Sequence, residues 1–227
     1  HGYLNAIHYM APASQSGVNL CPHASPGCIA MCLGWTSGQA GMVASQSDLN
    51  SVRKSRIVKA QRFMQSRADY MDDVTRSIIL ARRKAKREDL TLCVRMNGAT
   101  DIACEGVKAQ GVPFIASNPD IQFVDYTKSL ARALAHAAGK LPANYHLTFS
   151  RSETNEADCL TVLQAGGNVA VVFAGALPTL WHGFPVISGD EHDLRHLDPQ
   201  GGYVIGLSPK GNLAKRDSSG FVLRNYA

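Results

Sequence analysis

The 227-residue chain has no apolar run of the roughly 18 residues that a membrane-spanning helix needs, and nothing in it resembles a signal peptide. An integral membrane protein is therefore not expected, nor a secreted one, and the expected location is cytoplasmic. There is no repeat at a fixed period and no linker long enough to divide the chain, so one domain is expected over 1–227. The chain begins with His1 rather than Met, so sequence ahead of it is expected. Charge is modest, at 18% Asp, Glu, Lys and Arg, beside 45% hydrophobic residues, the balance of a globular protein with a full core.

Cysteine is scarce too. Of six, only three cluster, in "NLCPHASPGCIAMCLGW" over residues 19–35. With no secretory signal, metal use in a reducing compartment is favoured over a disulfide framework. The basic residues are unevenly spread. Residues 51–88 hold twelve Lys or Arg against four Asp or Glu, while the rest of the chain holds eleven against fourteen. That helical segment, taken as 48–88, is the candidate surface for a nucleic acid or another polyanion, with Arg53, Lys54, Arg56, Lys59 and Arg62 as phosphate contacts. A solvated helix face is the competing reading.

Periodicity predicts alternating strands and helices. Strand-like runs fall at 4–10, 90–96, 121–127, 145–151, 168–174, 184–188 and 203–208. Most are short apolar or β-branched stretches suited to strands buried on both faces. Helix-like stretches cover 48–65, with Asp48 as N-cap, then 68–87, 102–110, 128–138 and 153–165. This βα alternation predicts an α/β fold with a parallel sheet, open or curled into a partial or complete (β/α) barrel.

Polar residues collect just after the strands. Arg95, Asn97, Gly98 and Asp101 stand at one strand end, Asp125, Tyr126 and Lys128 at the next, and Ser150, Arg151, Ser152 and Glu153 at a third; Asp190, Glu191, His192 and Asp193, and then Ser208 and Lys210, follow two more. In a parallel barrel these loops share one face, and that face carries the site. Caps and turns favour the same residue types and are the alternative.

The cluster is Cys21-x6-Cys28-x3-Cys32. A structural zinc site usually offers two close pairs of ligands, and no fourth cysteine is nearby; His23 completes a Cys3His set only in a cramped geometry. The His-x-Glu and Pro-Cys-x-x-Cys pattern of zinc deaminases is absent. Three thiolates on one loop suit a [4Fe–4S] cluster with one iron left open, and Cys21, Cys28 and Cys32 are assigned to it, zinc being the alternative metal. Cys93 and Cys159 read as core; Cys104 reads as core or as a fourth ligand.

The motifs "NLCPHASPGCIAMCL", "VRMNGATDI", "VDYTK", "NYHLTFSRSE", "NVAVVF", "GDEHDLRHLDP" and "VIGLSPKG" together resemble a bacteriophage family, the gene product 88-like proteins, over roughly 4–222. This resemblance implies the cytoplasm of a bacterial host. The "SPGC" element resembles the cysteine loop of a radical S-adenosylmethionine-like phage family. Radical S-adenosylmethionine enzymes place a three-cysteine loop after the first strand of a partial barrel, usually as Cys-x3-Cys-x-x-Cys, and this chain departs from both gaps. By that similarity Asn97, Gly98 and Asp101 sit where such enzymes bind the cofactor's amino group, and Ser150 and Arg151 face its ribose or carboxylate.

The favoured reading is an iron–sulfur enzyme with a radical S-adenosylmethionine-like barrel acting on a nucleotide, a nucleic acid or a related phage metabolite. Lys128, Arg151, Asp190, Glu191, His192 and Lys210 are its candidate catalytic side chains, with His192 a proton shuttle near neutral pH. The first rival is a metal-stabilised nucleic-acid-binding protein without catalysis. The second is a zinc-dependent enzyme built on 190–193, although "DEHD" lacks the His-x-x-x-His spacing of a helical zinc motif.

Overall fold

A computed structural model describes residues 2–224 and 226; what precedes or includes His1 lies outside them. Strand β1 (Tyr3–Ile7) leads into the cysteine loop, where two short helices form, α1 (Pro26–Ala30) and α2 (Leu33–Thr36). Two long helices follow, α3 (Ser51–Gln65) and α4 (Arg67–Arg87), and then β2 (Thr91–Arg95). A two-stranded hairpin, β3 (Lys108–Ala109) and β4 (Val112–Pro113), precedes β5 (Gln122–Thr127), α5 (Leu130–Ala137), β6 (Tyr145–Ser150), α6 (Glu156–Gln164) and β7 (Val169–Val172). The chain ends with β8 (Leu180–Trp181), β9 (Phe184–Ser188), β10 (Val204–Leu207) and α7 (Gly211–Lys215).

Eight strands form one sheet in the order β1-β2-β5-β6-β7-β10-β9-β8. All neighbours are parallel except β8, which joins β9 antiparallel. That last pair turns through His182 and Gly183, both at positive φ, as a two-residue hairpin requires. Among the described residues the terminal strands β1 and β8 do not pair, so the fold is mixed α/β with a mostly parallel sheet that is not a closed barrel.

Alternation along the strands assigns two faces. Leu92, Val94, Phe123, Tyr145 and Leu147 pack against Phe63 of α3 and Tyr70, Met71, Val74 and Ile78 of α4. Phe149, Val169, Val171 and Val204 continue that face against Ala133 of α5 and Cys159, Val162 and Leu163 of α6. All four long crossover helices thus cover one face. On the other face Cys93, Val124 and Tyr3 meet Leu194 from the segment after β9, and the same face carries Arg95, Tyr126 and Ser150 toward the strands' carboxyl ends.

The long helices form close to where the hydrophobic period places them, but the N-cap of α3 is Asn50, whose Oδ1 accepts from Arg53 N at 3.0 Å. Asp48 instead accepts from Ser45 N at 2.7 Å and closes the preceding turn. The stretch at 102–110 is not a helix. It makes a single 3-10 turn, Cys104–Gly106, and then the β3–β4 hairpin, where Gln110 and Gly111 take positive φ and end any helical run. Among the described residues no helix is long and apolar enough to cross a membrane.

Candidate functional site

The cysteine loop is held across the carboxyl ends of the strands by local capping. Ser25 caps α1 with its Oγ accepting from Cys28 N at 3.2 Å, and Pro26 stands at the first helical position, where its missing N–H costs nothing. Glu153, just beyond β6, accepts from Ser25 Oγ and from Gly27 N, each at 2.7 Å. Burial opposes its charge, but these bonds outweigh it and hold the Glu153 carboxyl below its usual range. A Cβ on Gly27 would stand 2.6 Å from Ser219 Oγ and 2.8 Å from Glu153 Oε2, so a larger residue here would displace that carboxylate.

Cys21, Cys28 and Cys32 all line one cavity of about 590 Å³. Burial pushes the Cys21 thiol up to about 11, and burial together with the charges of Cys28 and Cys21 pushes Cys32 up to about 12. Cys21 Sγ accepts from Ala13 N at 3.2 Å. As placed, no group of three His, Cys, Asp or Glu among the described residues converges closely enough to hold a metal ion. The donor set, three thiols with no histidine among the cavity's lining residues, is nonetheless the soft one that iron–sulfur clusters and thiolate zinc sites use. His23 is exposed and is not among the residues lining the cavity. Cys93, Cys104 and Cys159 are buried in the packing clusters, and Cys104 Sγ accepts from Asn97 Nδ2 at 3.4 Å rather than facing the cavity.

The strand-end residues divide into two groups. Asn97 and Asp101 reach the cavity wall, but their side chains are already engaged. Asn97 Oδ1 accepts from Thr100 Oγ1 and Ile102 N, while its Nδ2 donates to Asp125 Oδ2 at 3.0 Å and Ile102 O at 2.9 Å. Asp101 accepts from Thr127 Oγ1, Lys128 N and Arg132 Nη1, at 2.7–2.8 Å. Asp125, fully buried, accepts from Asn97 N and Tyr145 Oη, and burial raises its carboxyl to about 6 against the pull of those bonds. Gly98 is required for close approach, since a Cβ there would stand 2.7 Å from His8 O. These residues build the "NGATD" turn. Their spare capacity for a cofactor is small.

Arg151, expected to bind a cofactor and to act in catalysis, is not among the residues lining the cavity. It is buried and turned from the cavity, its Nη1 donating to Gly220 O and Phe221 O and its Nη2 to Glu156 Oε2 at 3.1 Å. It ties the C-terminal segment to the end of β6. Asp190, Glu191 and His192 also lie outside the cavity lining. Asp190 accepts from Ser208 N at 2.9 Å and pairs with Lys210 at 3.5 Å; burial opposes its charge, but these contacts keep its carboxyl below the usual range. His192 accepts from Leu194 N, and Glu191 is exposed.

Lys128, Ser150 and Lys210 do line the cavity. Lys128 Nζ donates to Ser150 Oγ at 2.7 Å and stands 5.5 Å from the Phe221 ring centroid. Arg95, Tyr126 and Asp193, polar residues of the same strand ends, line it as well, although their motifs assign none of them a specific role. The signal was strand alternation, which points Arg95 and Tyr126 to the face opposite the helices.

The five basic residues of α3 part company in the same way. Arg53 is fully buried and donates to Trp35 O, Ala40 O, Gln46 O, Asp48 O and Gln46 Oε1 at 2.7–2.9 Å, which uses its donors and leaves none for phosphate. Arg56 stacks on the Tyr9 ring at 4.3 Å, donates to Gly34 O and lines the cavity beside Cys32. Arg62 is paired with Asp73 at 2.5 Å. Lys54 and Lys59 are exposed.

No curated protein and no solved structure matches the chain. A family model described as Gene product 88 matches residues 1–225, with the cysteine loop and every strand-end motif inside the match, and the chain therefore belongs to the Gene product 88 family.

Proposed function

We propose that the protein is an iron–sulfur enzyme of radical S-adenosylmethionine-like type, acting on a nucleotide, a nucleic acid or a related metabolite. The observation that carries this reading is that Cys21, Cys28 and Cys32 line one cavity at the carboxyl ends of parallel strands. Helices on one face of a singly wound sheet, with polar residues on the other face only toward the strands' carboxyl ends, support a barrel that stops short of closure. The three thiols would hold a [4Fe–4S] cluster, which when bound supplies electrons and an open coordination position for S-adenosylmethionine.

The chain's own residues would bind and orient. Lys128, fixed by Ser150, and Lys210, held near Asp190, place ammonium groups on the cavity rim. Arg56 adds a guanidinium beside the thiols. Three cations around one opening suit a phosphate-bearing substrate and offset the charge of thiolate ligands. Lys54 and Lys59, exposed on α3, extend the same positive field outward. Apolar side chains of Met31, Val172, Leu207 and Phe221 form much of the remaining wall and limit water.

Metal and sulfide analysis of anaerobically purified protein, beside Cys28→Ala, tests the reading. About four irons and four sulfides per chain, lost in the variant, are expected. One zinc and no sulfide would overturn the redox assignment and favour a zinc-pinned protein that meets nucleic acid through its basic helices.

A further inference from the structure

The floor of the cavity differs from its rim. Arg95 and Tyr126 lie within β2 and β5, deeper than Lys128, Ser208 and Lys210, which follow strand ends. The Arg95 guanidinium lies over the Tyr126 ring at 4.8 Å. The polar contacts described for it are long: Nε to Asn97 O at 3.4 Å, and Nη1 to Asp193 Oδ2 at 3.8 Å, beyond hydrogen-bond reach. Tyr126 Oη is buried with no hydrogen-bond partner among the described residues. A buried donor left in this state calls for a partner, because stranding it costs about 1–3 kcal/mol.

Charge decides what kind of partner. The charged side chains beside Tyr126 that line the cavity are Arg95 and Asp193, one of each sign and 3.8 Å apart. The floor is therefore neutral overall and offers no net pull to an oxyanion, while the rim carries Lys128, Lys210 and Arg56. What the floor offers is a fork of donors from Arg95, a hydroxyl from Tyr126 and a carboxylate acceptor from Asp193, beside the apolar side chains of Ala170 and Val172. A flat, uncharged group with adjacent acceptors and donors on its edge satisfies all of these.

We propose that Arg95, Tyr126 and Asp193 form a nucleobase-binding floor and that guanine is the base it takes. Guanine presents O6 and N7 to a guanidinium as a bidentate pair, and its N1–H and N2–H groups are donors suited to a carboxylate. The proposal rests on the nucleotide substrate class above and gives that substrate a direction, base at the floor and phosphate at the rim.

Isothermal titration calorimetry with guanosine, adenosine, cytidine, uridine and ribose 5-phosphate tests it, on wild-type protein, Arg95→Met, Asp193→Asn and Tyr126→Phe. Guanosine is expected to bind wild type purified with or without iron and sulfide, so the result does not depend on whether a cluster forms. Arg95→Met and Asp193→Asn should each weaken guanosine by about tenfold while leaving ribose 5-phosphate unchanged. Tyr126→Phe, which removes one hydroxyl and keeps the packing, should weaken it less, and circular dichroism should show all variants folded. Absence of binding by every nucleoside overturns the proposal, as does guanosine binding indifferent to the three floor variants. Tighter binding of another base overturns the guanine assignment. Ribose 5-phosphate binding that falls in Arg95→Met would show that the floor takes an oxyanion instead.

Discussion

The two sides of the strand-end ring are built to opposite rules. Around β2 and β5, Asn97, Asp101, Asp125, Arg132 and Tyr145 satisfy one another through a closed set of hydrogen bonds, and Arg132 adds a paired bond to Glu105 at 2.8 and 2.9 Å. Across the cavity, the thiols of Cys21 and Cys32 are held protonated by burial, and at the floor the hydroxyl of Tyr126 has no partner among the described residues. Saturated networks fix geometry; unsaturated groups facing a cavity are what a ligand completes. The same residue types serve both purposes here, and only their partners separate scaffold from site.

Arg53 and Arg56 bring that contrast onto one helix, and exchanging each for methionine is the strongest way to break it. Arg53→Met strands five acceptors in the loop that carries the cysteines, at about 1–3 kcal/mol for each group left bare, with relaxation recovering part. A loss of about 4 kcal/mol in the urea unfolding free energy is expected. Arg56→Met gives up one stacked ring and one carbonyl contact and should cost about 1 kcal/mol. Equal losses from the two variants would show that Arg56 is as much a part of the scaffold as Arg53.

Asp125 gives the saturated side a pH signature. Its carboxyl is raised to about 6 in the folded protein, so folding takes up a proton between the unfolded value near 4 and pH 6. The contribution is fully present below about pH 4 and is lost as pH rises through 6. A shift of about two units corresponds to about 3 kcal/mol. Glu153 and Asp190, held low, contribute in the opposite sense, losing their stabilisation as pH falls, so the effect is read as a difference. Urea midpoints of wild type minus those of Asp125→Asn should decline from pH 4 to pH 6. A flat difference would mean that Asp125 is ionised throughout and that its bonds from Asn97 and Tyr145 dominate burial.

Much of the fold was legible because buried parallel strands are written as short apolar runs, and β2, β5, β6, β7, β9 and β10 each fall within such a run. The stretch at 102–110 misled because its helix-like composition says nothing of the positive-φ turn at Gln110 and Gly111. The three cysteines were legible as a set because spacing alone brings them to one loop. Arg151 was not, because a guanidinium near a strand end looks the same whether it faces a ligand or, as here, the backbone of Gly220 and Phe221. Long-range carbonyl partners leave no trace in local sequence. Glu153 stood out only as one more strand-end polar residue, and its partners, which fasten the cysteine loop to β6 across more than a hundred residues, did not.

Glu153 joins the two sides, and weakening it should change thiol exposure more than stability. Glu153→Gln keeps the shape and one acceptor oxygen, so it retains the bond from Gly27 N or from Ser25 Oγ but not both at full strength. Charge-assisted bonds are worth about twice neutral ones, and the expected cost is about 1–2 kcal/mol. Because α1 carries Cys28 and starts at the residues Glu153 holds, local opening of the loop should rise while the β2–β5 network stays shut. Alkylation of metal-free protein by iodoacetamide, followed by mass spectrometry, would then show faster modification at Cys28 and no change at Cys93 or Cys104. Faster modification at all of these sites would mean that the loop and the sheet open as one unit, and the contrast between a saturated scaffold and a separable thiol side would fail.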